Sequence, residues 1–364
     1  MAGHDVGGPA VTDDGHLALT AYFAERLRHE HRFVADGLLE LFGDCEIAVS
    51  VMLRGISGFG PHHRLRTDET LTTSEDPTVA VTAIDTAETI AALAERTVAA
   101  VPRGLITLER AQLIGREPPT LDEFCKLTVY VGRHQRVAGV PAYRAVCELL
   151  HRRGFAATAV FLGVDGTVHG ARRRAAFFSR NSEVPLMIVG LGTGGQVSDV
   201  LGSLSDLLSH PLLTVERAQL CKSGGQLLAR PAELPAVDDR GRPLWQKLTV
   251  HTSETARHDG MPVHRALVRS LRQTAAAGGA TVLRGVWGHC GVGVPAGDRL
   301  FQLGRNVPVT TVVVDTPARI AAAFDIVDTL TGEHGVVSAE RVPAATIVDG
   351  PDRFGGTDLA RFSY

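Results

Sequence analysis

Two segments of the chain place an arginine at the end of an apolar run and follow it with glycines. Residues 51–60 read VMLRGISGFG, and residues 281–291 read TVLRGVWGHCG, with the same order of residue types. Glycines let backbone N–H groups converge on an anion, and a guanidinium group suits phosphate or carboxylate. The pattern therefore predicts an anion site at each segment. The residues expected to bind are Arg54, Gly55, Ser57, Gly58 and Gly60 in the first segment and Arg284, Gly285 and Gly288 in the second.

These segments belong to a longer unit that the chain repeats. LITLERAQL at 105–113 returns almost unchanged as LLTVERAQL at 212–220, and KLTVYVG at 126–132 returns as KLTVHTS at 247–253. A diverged copy of the arginine segment, AVFLGVDG, lies at 159–166. Repeats of this kind indicate that one folding unit occurs three times in the chain. The expected units are residues 16–115, 124–222 and 245–345, with flexible termini at 1–15 and 346–364.

The candidate residues also have interpretations that need no ligand. The glycines would then form a flexible hinge, and Arg54 would pair with a carboxylate of a neighbouring unit. Asp85 and Asp315 open the helical patterns DTAETI and DTPARI. An aspartate at that position first of all caps the helix, which is worth on the order of 1 kcal/mol.

Within each unit, apolar periodicity predicts strand, helix, strand, long loop, strand, helix and strand. In the first unit, alternation at 16–23 predicts a strand and the spacing at 31–42 predicts a helix. This order is the ferredoxin-like βαββαβ arrangement, an α+β fold. Its sheet carries both helices on one face, so we expect three copies to bury their open faces around a pseudo-threefold axis. Three separate units on a string are the alternative.

Composition argues against several classes of protein. Lys plus Arg number 37 against 40 Asp plus Glu, so the net charge of −3 gives no general attraction to nucleic acid. The five cysteines are scattered and lack CxxC spacing, which is typical of reduced thiols. The amino terminus does not match a signal peptide, and no apolar run approaches the length of a membrane span. We expect a soluble cytoplasmic protein.

The combination of these strings resembles a known family. The first strand of the unit reads KLTVY or KLTVH, and the second reads VMLRGISGFG or TVLRGVWG. The third strand and the helix after it read DPTVAVTAIDTAETI or VPVTTVVVDTPARI, and the last strand reads GLITLE or GVVSAE. Together they resemble the PII-like family known as domain of unknown function 190. The resemblance implies trimers of ferredoxin-like units with a long loop after the second strand. It also implies small ligands, commonly adenine nucleotides, in clefts between units, where the turns at Asp85 and Asp315 would face the ligand.

The second unit differs at the matching positions. Leu162 stands where the other units have arginine, and Gly192 stands where they have aspartate, so we expect its cleft to have lost or changed the ligand. GLGTGG at 190–195 satisfies GxGxxG, but the repeat register argues against a dinucleotide fold and leaves a helix N-terminus for an anion. The weaker candidates are Gly192, Gly194 and Gly195, together with Arg172 and Arg173 of a long loop that is equally explained as a solvated face.

Histidines and acids form no recognisable catalytic or metal set in the sequence. His62 and His63 are adjacent and lack a companion at ligand spacing. No Ser, His and Asp set and no paired carboxylates recur in register across the copies. We therefore expect no catalytic residue, no metal and no required cofactor.

The leading hypothesis is a cytoplasmic PII-like regulator, a monomer with the form of a pseudo-trimer. It would bind a small anion, for which the resemblance favours an adenine nucleotide, and binding would order the loops at 61–76 and 291–305 against a partner. The resemblance implies a membrane channel or transporter as that partner, and we expect no binding of nucleic acid. The alternatives are a ligand-free adaptor that docks on a transporter, and an enzyme that acts on a phosphorylated small molecule.

Overall fold

The chain runs three times through one order of strands and helices. The structure is a computed structural model, and it describes residues 15–67, 76–113, 123–168, 171–172, 185–208, 211–291, 293–297, 306–332 and 334–362. Its elements lie close to those that the periodicity predicts, and the α+β class is confirmed.

Each unit is built from two helices and at least four strands. The first unit contains β1 (His16–Ala24), α1 (Val34–Asp44), β2 (Val49–Phe59), β3 (Thr78–Thr86), α2 (Ala87–Ala100) and β4 (Arg103–Leu113). The second contains β5 (Phe124–Gly132), α3 (Ala142–Arg152), β6 (Ala157–Leu162), β7 (Asp165–Val168), β8 (Pro185–Thr193), α4 (Gly194–Leu207), β9 (Leu212–Arg217) and β10 (Gln219–Ser223). The third contains β11 (Trp245–Ser253), α5 (Val263–Gln273), β12 (Ala280–Arg284), β13 (Trp287–Cys290), β14 (Pro308–Asp315), α6 (Pro317–Leu330), β15 (Val336–Val342), β16 (Ala344–Asp349) and β17 (Asp352–Gly355). Two-residue strands lie at Arg28–His29, Arg32–Phe33, Arg66–Thr67, Arg136–Val137, Val140–Pro141, Ala171–Arg172, Gln226–Leu227, Arg257–His258, Met261–Pro262 and Ala296–Gly297.

The helices form where apolar residues recur at helical spacing. In α5, Val263, Leu267 and Leu271 are buried at intervals of four residues. Helix α4 begins at a capping box, in which the Thr193 hydroxyl accepts from the Gln196 N–H and the Gln196 side chain accepts from the Thr193 N–H. Within the described part of the chain, every helix is too short or too polar to cross a bilayer.

Strand pairing repeats from unit to unit. In the first unit, β1 lies between β4 and β3, and β2 pairs with the far side of β3. The second unit has the same order in β9, β5, β8 and β6, and the third in β15, β11, β14 and β12. All of these pairs are antiparallel. The strand that contains the start of the GxGxxG segment, β8, is therefore not part of a parallel βαβ unit, which confirms the argument against a dinucleotide fold.

Further strand pairs join the units. Along one set of edges, β2 pairs with β12 and with β7, and β6 pairs with β13. Along the other set, β4 pairs with β9 and with β16, and β10 pairs with β15. Each unit is thus hydrogen-bonded to both of the others.

Two kinds of apolar core follow from this pairing. Each unit has a core between its sheet and its helices. Another cluster lies where the units meet, with Val51 from the first, Phe161 from the second and Leu283 from the third. These residues alternate along their strands with residues that face the helices.

The glycines after Arg54, which the ligand-free interpretation expects to form a flexible hinge, lie in extended strand in the structure. Strand β2 continues through Phe59 because its second half pairs with β12 of the third unit. A Cβ atom on Gly58 would lie 2.5 Å from the carbonyl oxygen of Ala280, and one on Gly55 would lie 3.0 Å from that of Val282. Close approach of a neighbouring strand, rather than a turn, explains these glycines.

The carboxyl-terminal tail is also ordered, contrary to the prediction of a flexible segment at 346–364. Strand β16 pairs with β4 of the first unit, and β17 folds back on β16. The ring of Phe354 lies 5.8 Å from that of the buried Trp245. Residues 1–14 and 363–364 lie outside the described residues.

Candidate functional site

A cleft of about 750 Å³ lies between the first and third units. The first unit contributes Tyr22 and Phe59, near the ends of β1 and β2, and the third unit contributes Gly279 and Val314, beside β12 and within β14. Ile347 of β16 lines it as well. Small-molecule sites commonly have volumes of roughly 300 to 1,000 Å³, so the cleft has room for a ligand of nucleotide size.

The lining of this cleft carries more positive than negative charge. Its charged side chains are Arg26, Arg28, Arg64, Arg66 and Arg103, against Asp76 and Asp315. Arg64 is exposed and makes no hydrogen bond or ion pair with any residue that the structure describes. Arg28 holds its guanidinium 4.4 Å from the centre of the Phe33 ring, without a carboxylate partner among the described residues. Uncompensated cations attract anions, so the cleft suits a phosphate or carboxylate group.

Other arginines of the cleft hold the surrounding segments in place. Arg66 pairs with Asp76, whose carboxylate also accepts a hydrogen bond of 2.8 Å from the backbone N–H of Arg26. The Nε of Arg103 donates to Asp349 of the carboxyl-terminal hairpin at 2.7 Å. This hydrogen bond lowers the pKa of Asp349. The long loop and the hairpin are therefore both anchored at the rim of the cleft.

Apolar side chains complete the lining. They are Leu105, Val312, Val314 and Ile347, which belong to one cluster around Trp245. An apolar surface beside arginines matches a ligand that joins an apolar ring to an anionic group.

The two predicted arginines are engaged in ion pairs. The Nε of Arg54 donates to Glu25 at 2.9 Å, and Arg284 pairs with Glu254. Each carboxylate belongs to the same unit as its arginine, not to a neighbouring one as the ligand-free interpretation expected. Neither arginine lines the cleft.

The two predicted aspartates tie a strand end to the strand beside it. Asp85 accepts a hydrogen bond of 2.8 Å from the N–H of Ala48, and Asp315 accepts one of 2.7 Å from the N–H of Gly278. The residues that occupy the N-cap positions are Thr86 and Thr316, so the prediction of an aspartate cap is wrong by one residue. Asp315 and Gly60 are the predicted ligand residues that line the cleft.

A family model for domain of unknown function 190 (DUF190), described as an uncharacterized ACR, matches residues 16–113, 124–220 and 245–344. These segments make up most of the chain. The protein belongs to the DUF190 family. The three tandem copies expected from the repeats are confirmed.

The second DUF190 copy has lost two of these side-chain contacts. Leu162 replaces the arginine, and Arg133 stands at the position of Glu25 and Glu254, so both members of the ion pair have changed. At Gly192, which replaces the aspartate, a Cβ atom would lie 2.9 Å from the buried ring of Phe155. Packing and pairing explain these changes without reference to a ligand.

The remaining glycine candidates have structural roles. A Cβ atom on Gly288 would lie 2.1 Å from the carbonyl oxygen of Thr158 in the neighbouring DUF190 copy, and one on Gly285 would lie 3.2 Å from that of Val160. The N–H of Gly194 donates to the carbonyl oxygen of Glu123 at 2.7 Å, and Gly195 lies in the first turn of α4. Arg172 lies in a two-residue strand, and Arg173 lies outside the described residues. Ligand binding by any of these residues stays a prediction.

Three carboxylates that the sequence reasoning missed meet where the DUF190 copies join. Their oxygen atoms lie within 4.8 Å of one another, and they are the one group with metal-ligand spacing that the described residues contain. They are Glu109, Glu216 and Glu340. One glutamate thus recurs in register in every copy, a pattern that the search for paired carboxylates overlooked, although the repeated strings LITLERAQL and LLTVERAQL contain it.

Proposed function

We propose that this DUF190 protein is a PII-like regulator that binds an adenine nucleotide in the cleft between its first and third units. The observation that carries the proposal is the arginine-rich lining, in which Arg28 and Arg64 have no carboxylate partner among the described residues. The apolar cluster beside them would receive the base. Phosphate groups would then lie against the arginines.

The proposal includes three ferredoxin-like units arranged as a pseudo-trimer. Two observations support it: the strand order fourth, first, third, second in every unit, and the strand pairs that connect every unit to both others. In such an arrangement, one chain would supply the clefts that separate subunits form in a trimer.

A signal would leave the cleft through the long loop of the first unit. Pro61, His62, Arg64 and Arg66 of this loop line the cleft. Leu65 between them is about half exposed and faces outward as an apolar contact for a partner. A nucleotide that draws the arginines inward would change how the loop meets that partner, for which the family resemblance favours a membrane channel or transporter.

Calorimetry with ATP, ADP and AMP tests the ligand. We expect ATP to bind wild type, and we expect Arg64→Ala to weaken binding about tenfold or more, because a charge-assisted hydrogen bond to phosphate is lost. Arg54→Ala is the matched control, since Arg54 lies in the same unit but outside the cleft and pairs with Glu25. Its affinity should equal that of wild type.

Two results would contradict the proposal. Loss of binding in Arg54→Ala but not in Arg64→Ala would move the site to the arginine segments that the sequence first indicated. Absence of heat with all three nucleotides would favour the ligand-free adaptor.

A further inference from the structure

Five charged side chains meet at the junction of the three units, and none of them lines the cleft. Three are the glutamates at equivalent positions of β4, β9 and β15, and two are lysines at equivalent positions of β5 and β11. They are Glu109, Glu216, Glu340, Lys126 and Lys247. All are buried except Lys126, whose side chain is 16% exposed. The cluster thus holds three acids and two bases.

Each lysine bridges the glutamate of its own unit and that of the next. The Nζ of Lys126 lies 2.6 Å from Glu216 and 2.8 Å from Glu340. The Nζ of Lys247 lies 2.8 Å from Glu340 and also pairs with Glu109. Glu340 therefore has two cationic partners, whereas Glu109 and Glu216 have one each.

The first unit lacks the lysine that would complete this pattern. Lys126 lies opposite Glu216 across its strand pair, and Lys247 lies opposite Glu340. In the same register, Ala18 lies opposite Glu109. A lysine at this position would bridge Glu109 and Glu216, so its absence leaves one negative charge without a partner in the interior.

Two buried hydroxyl groups beside the carboxylates also lack a partner. Thr214 and Ser338 are fully buried, and their oxygen atoms make no hydrogen bond with the described residues. Each lies two residues before its glutamate, and therefore on the same face of its strand. Thr107, in the equivalent place of the first unit, donates to Glu109 at 3.2 Å. Unsatisfied buried hydroxyls are costly. Thr214 is the one of the two whose glutamate, Glu216, has a single cationic partner, so a polar ligand beside Glu216 would satisfy it.

We propose that a small monovalent cation binds between Glu109 and Glu216, in the place of the missing lysine ammonium. One positive charge makes the cluster neutral, and oxygen atoms of carboxylates and hydroxyls are suitable ligands for such an ion. A divalent ion would leave a net positive charge beside two ammonium groups. A proton shared by the two carboxylates would balance the charge but would leave the hydroxyl of Thr214, beside Glu216, unsatisfied.

The thermal midpoint of the full chain tests the site. The protein is exchanged into choline chloride at pH 7.5 and then measured in NaCl, KCl and NH₄Cl at equal ionic strength. Choline is too large for the site and controls for screening. We expect a saturable rise with at least one small cation, about 2 °C for each tenfold increase above its dissociation constant. Equal midpoints in all four salts would overturn the proposal.

Two substitutions neutralise the excess negative charge of the cluster, one by adding a positive charge and the other by removing a negative charge. Ala18→Lys supplies the third ammonium, and Glu216→Gln removes one carboxylate; each should abolish the response to small cations. Ala18→Met is the matched control, because it fills the same space without charge and should lower the midpoint below that of wild type. If Ala18→Lys does not fold, Glu216→Gln decides alone. A response to small cations that survives in Glu216→Gln would also overturn the proposal.

Discussion

The three copies share one order of strands and helices but differ at single residues. His251 stands where the other two units have Tyr22 and Tyr130, and it is buried beside β14 with a hydrogen bond of 3.0 Å to Thr310. Burial lowers the pKa of His251 to about 4, although Glu340 acts in the opposite direction. The third unit has thereby acquired a group that resists protonation in the folded state.

This histidine makes stability depend on pH. The unfolded chain takes up the proton near pH 6.5, whereas the folded chain does so only near pH 4, so stability present above pH 6.5 is lost as the pH falls toward 4. We expect His251→Tyr to reduce the loss between pH 7 and pH 5 by about 2 kcal/mol, measured by urea unfolding. His134→Tyr, at an exposed position, controls for the replacement of a histidine by tyrosine. Identical slopes for wild type and His251→Tyr would contradict the assignment.

The sequence identified equivalent positions correctly but not their contacts. Leu162 and Gly192 were matched to the right residues, because the repeats fix the register. The partners Glu25 and Glu254 were missed, since they follow the first strand by sequence and approach the arginine only through sheet pairing. The repeats place a glutamate equivalent to Glu109 in each unit, but the sequence does not show that these strands bring the three glutamates together inside the molecule.

At the level of elements, β2 is a strand of the first unit that pairs with both of the other units. Its first half pairs with β7 of the second unit and its second half with β12 of the third. The family resemblance placed VMLRGISGFG in this strand, but its glycines alone did not decide between a hinge and a strand, because glycine indicates a turn as readily as the close approach of another strand. The hairpin of β16 and β17 was missed for a related reason: it is stabilised by pairing with a distant unit.

Glycines of β2 should therefore tolerate no side chain. A Cβ atom on Gly58 would meet the carbonyl oxygen of Ala280 at 2.5 Å and the hydroxyl of Thr78 at 2.9 Å. We expect Gly58→Ala to cost about 2 to 4 kcal/mol, because two strands must separate. Gly37→Ala is the control. Gly37 lies in α1, and a Cβ atom added to it would have no neighbour within 4 Å, so alanine should stabilise the helix by about 0.5 to 1 kcal/mol. Chemical denaturation measures both, and a stabilised Gly58→Ala variant would contradict the close approach.

For the whole molecule, the strand pairs between units make independent unfolding of one unit unfavourable. Unfolding of the first unit alone would remove β2, with which β7 and β12 pair. It would also expose the cluster that contains Phe161 and Leu283. It would also remove Glu109 from Lys247, leaving a buried ammonium with one partner fewer. The same losses follow for each of the other units, because each pairs with both neighbours.

The chain should therefore unfold in one cooperative transition despite its length. Scanning calorimetry should give a ratio of calorimetric to van't Hoff enthalpy near 1, whereas three independent units would give a ratio near three. Gly58→Ala provides the sharper comparison, because it perturbs a contact between the first and third units. If the units are coupled, the whole transition moves to lower temperature and stays single. A first unit that melts separately in this variant, while the other two keep the wild-type midpoint, would show that the contacts between units contribute little to stability.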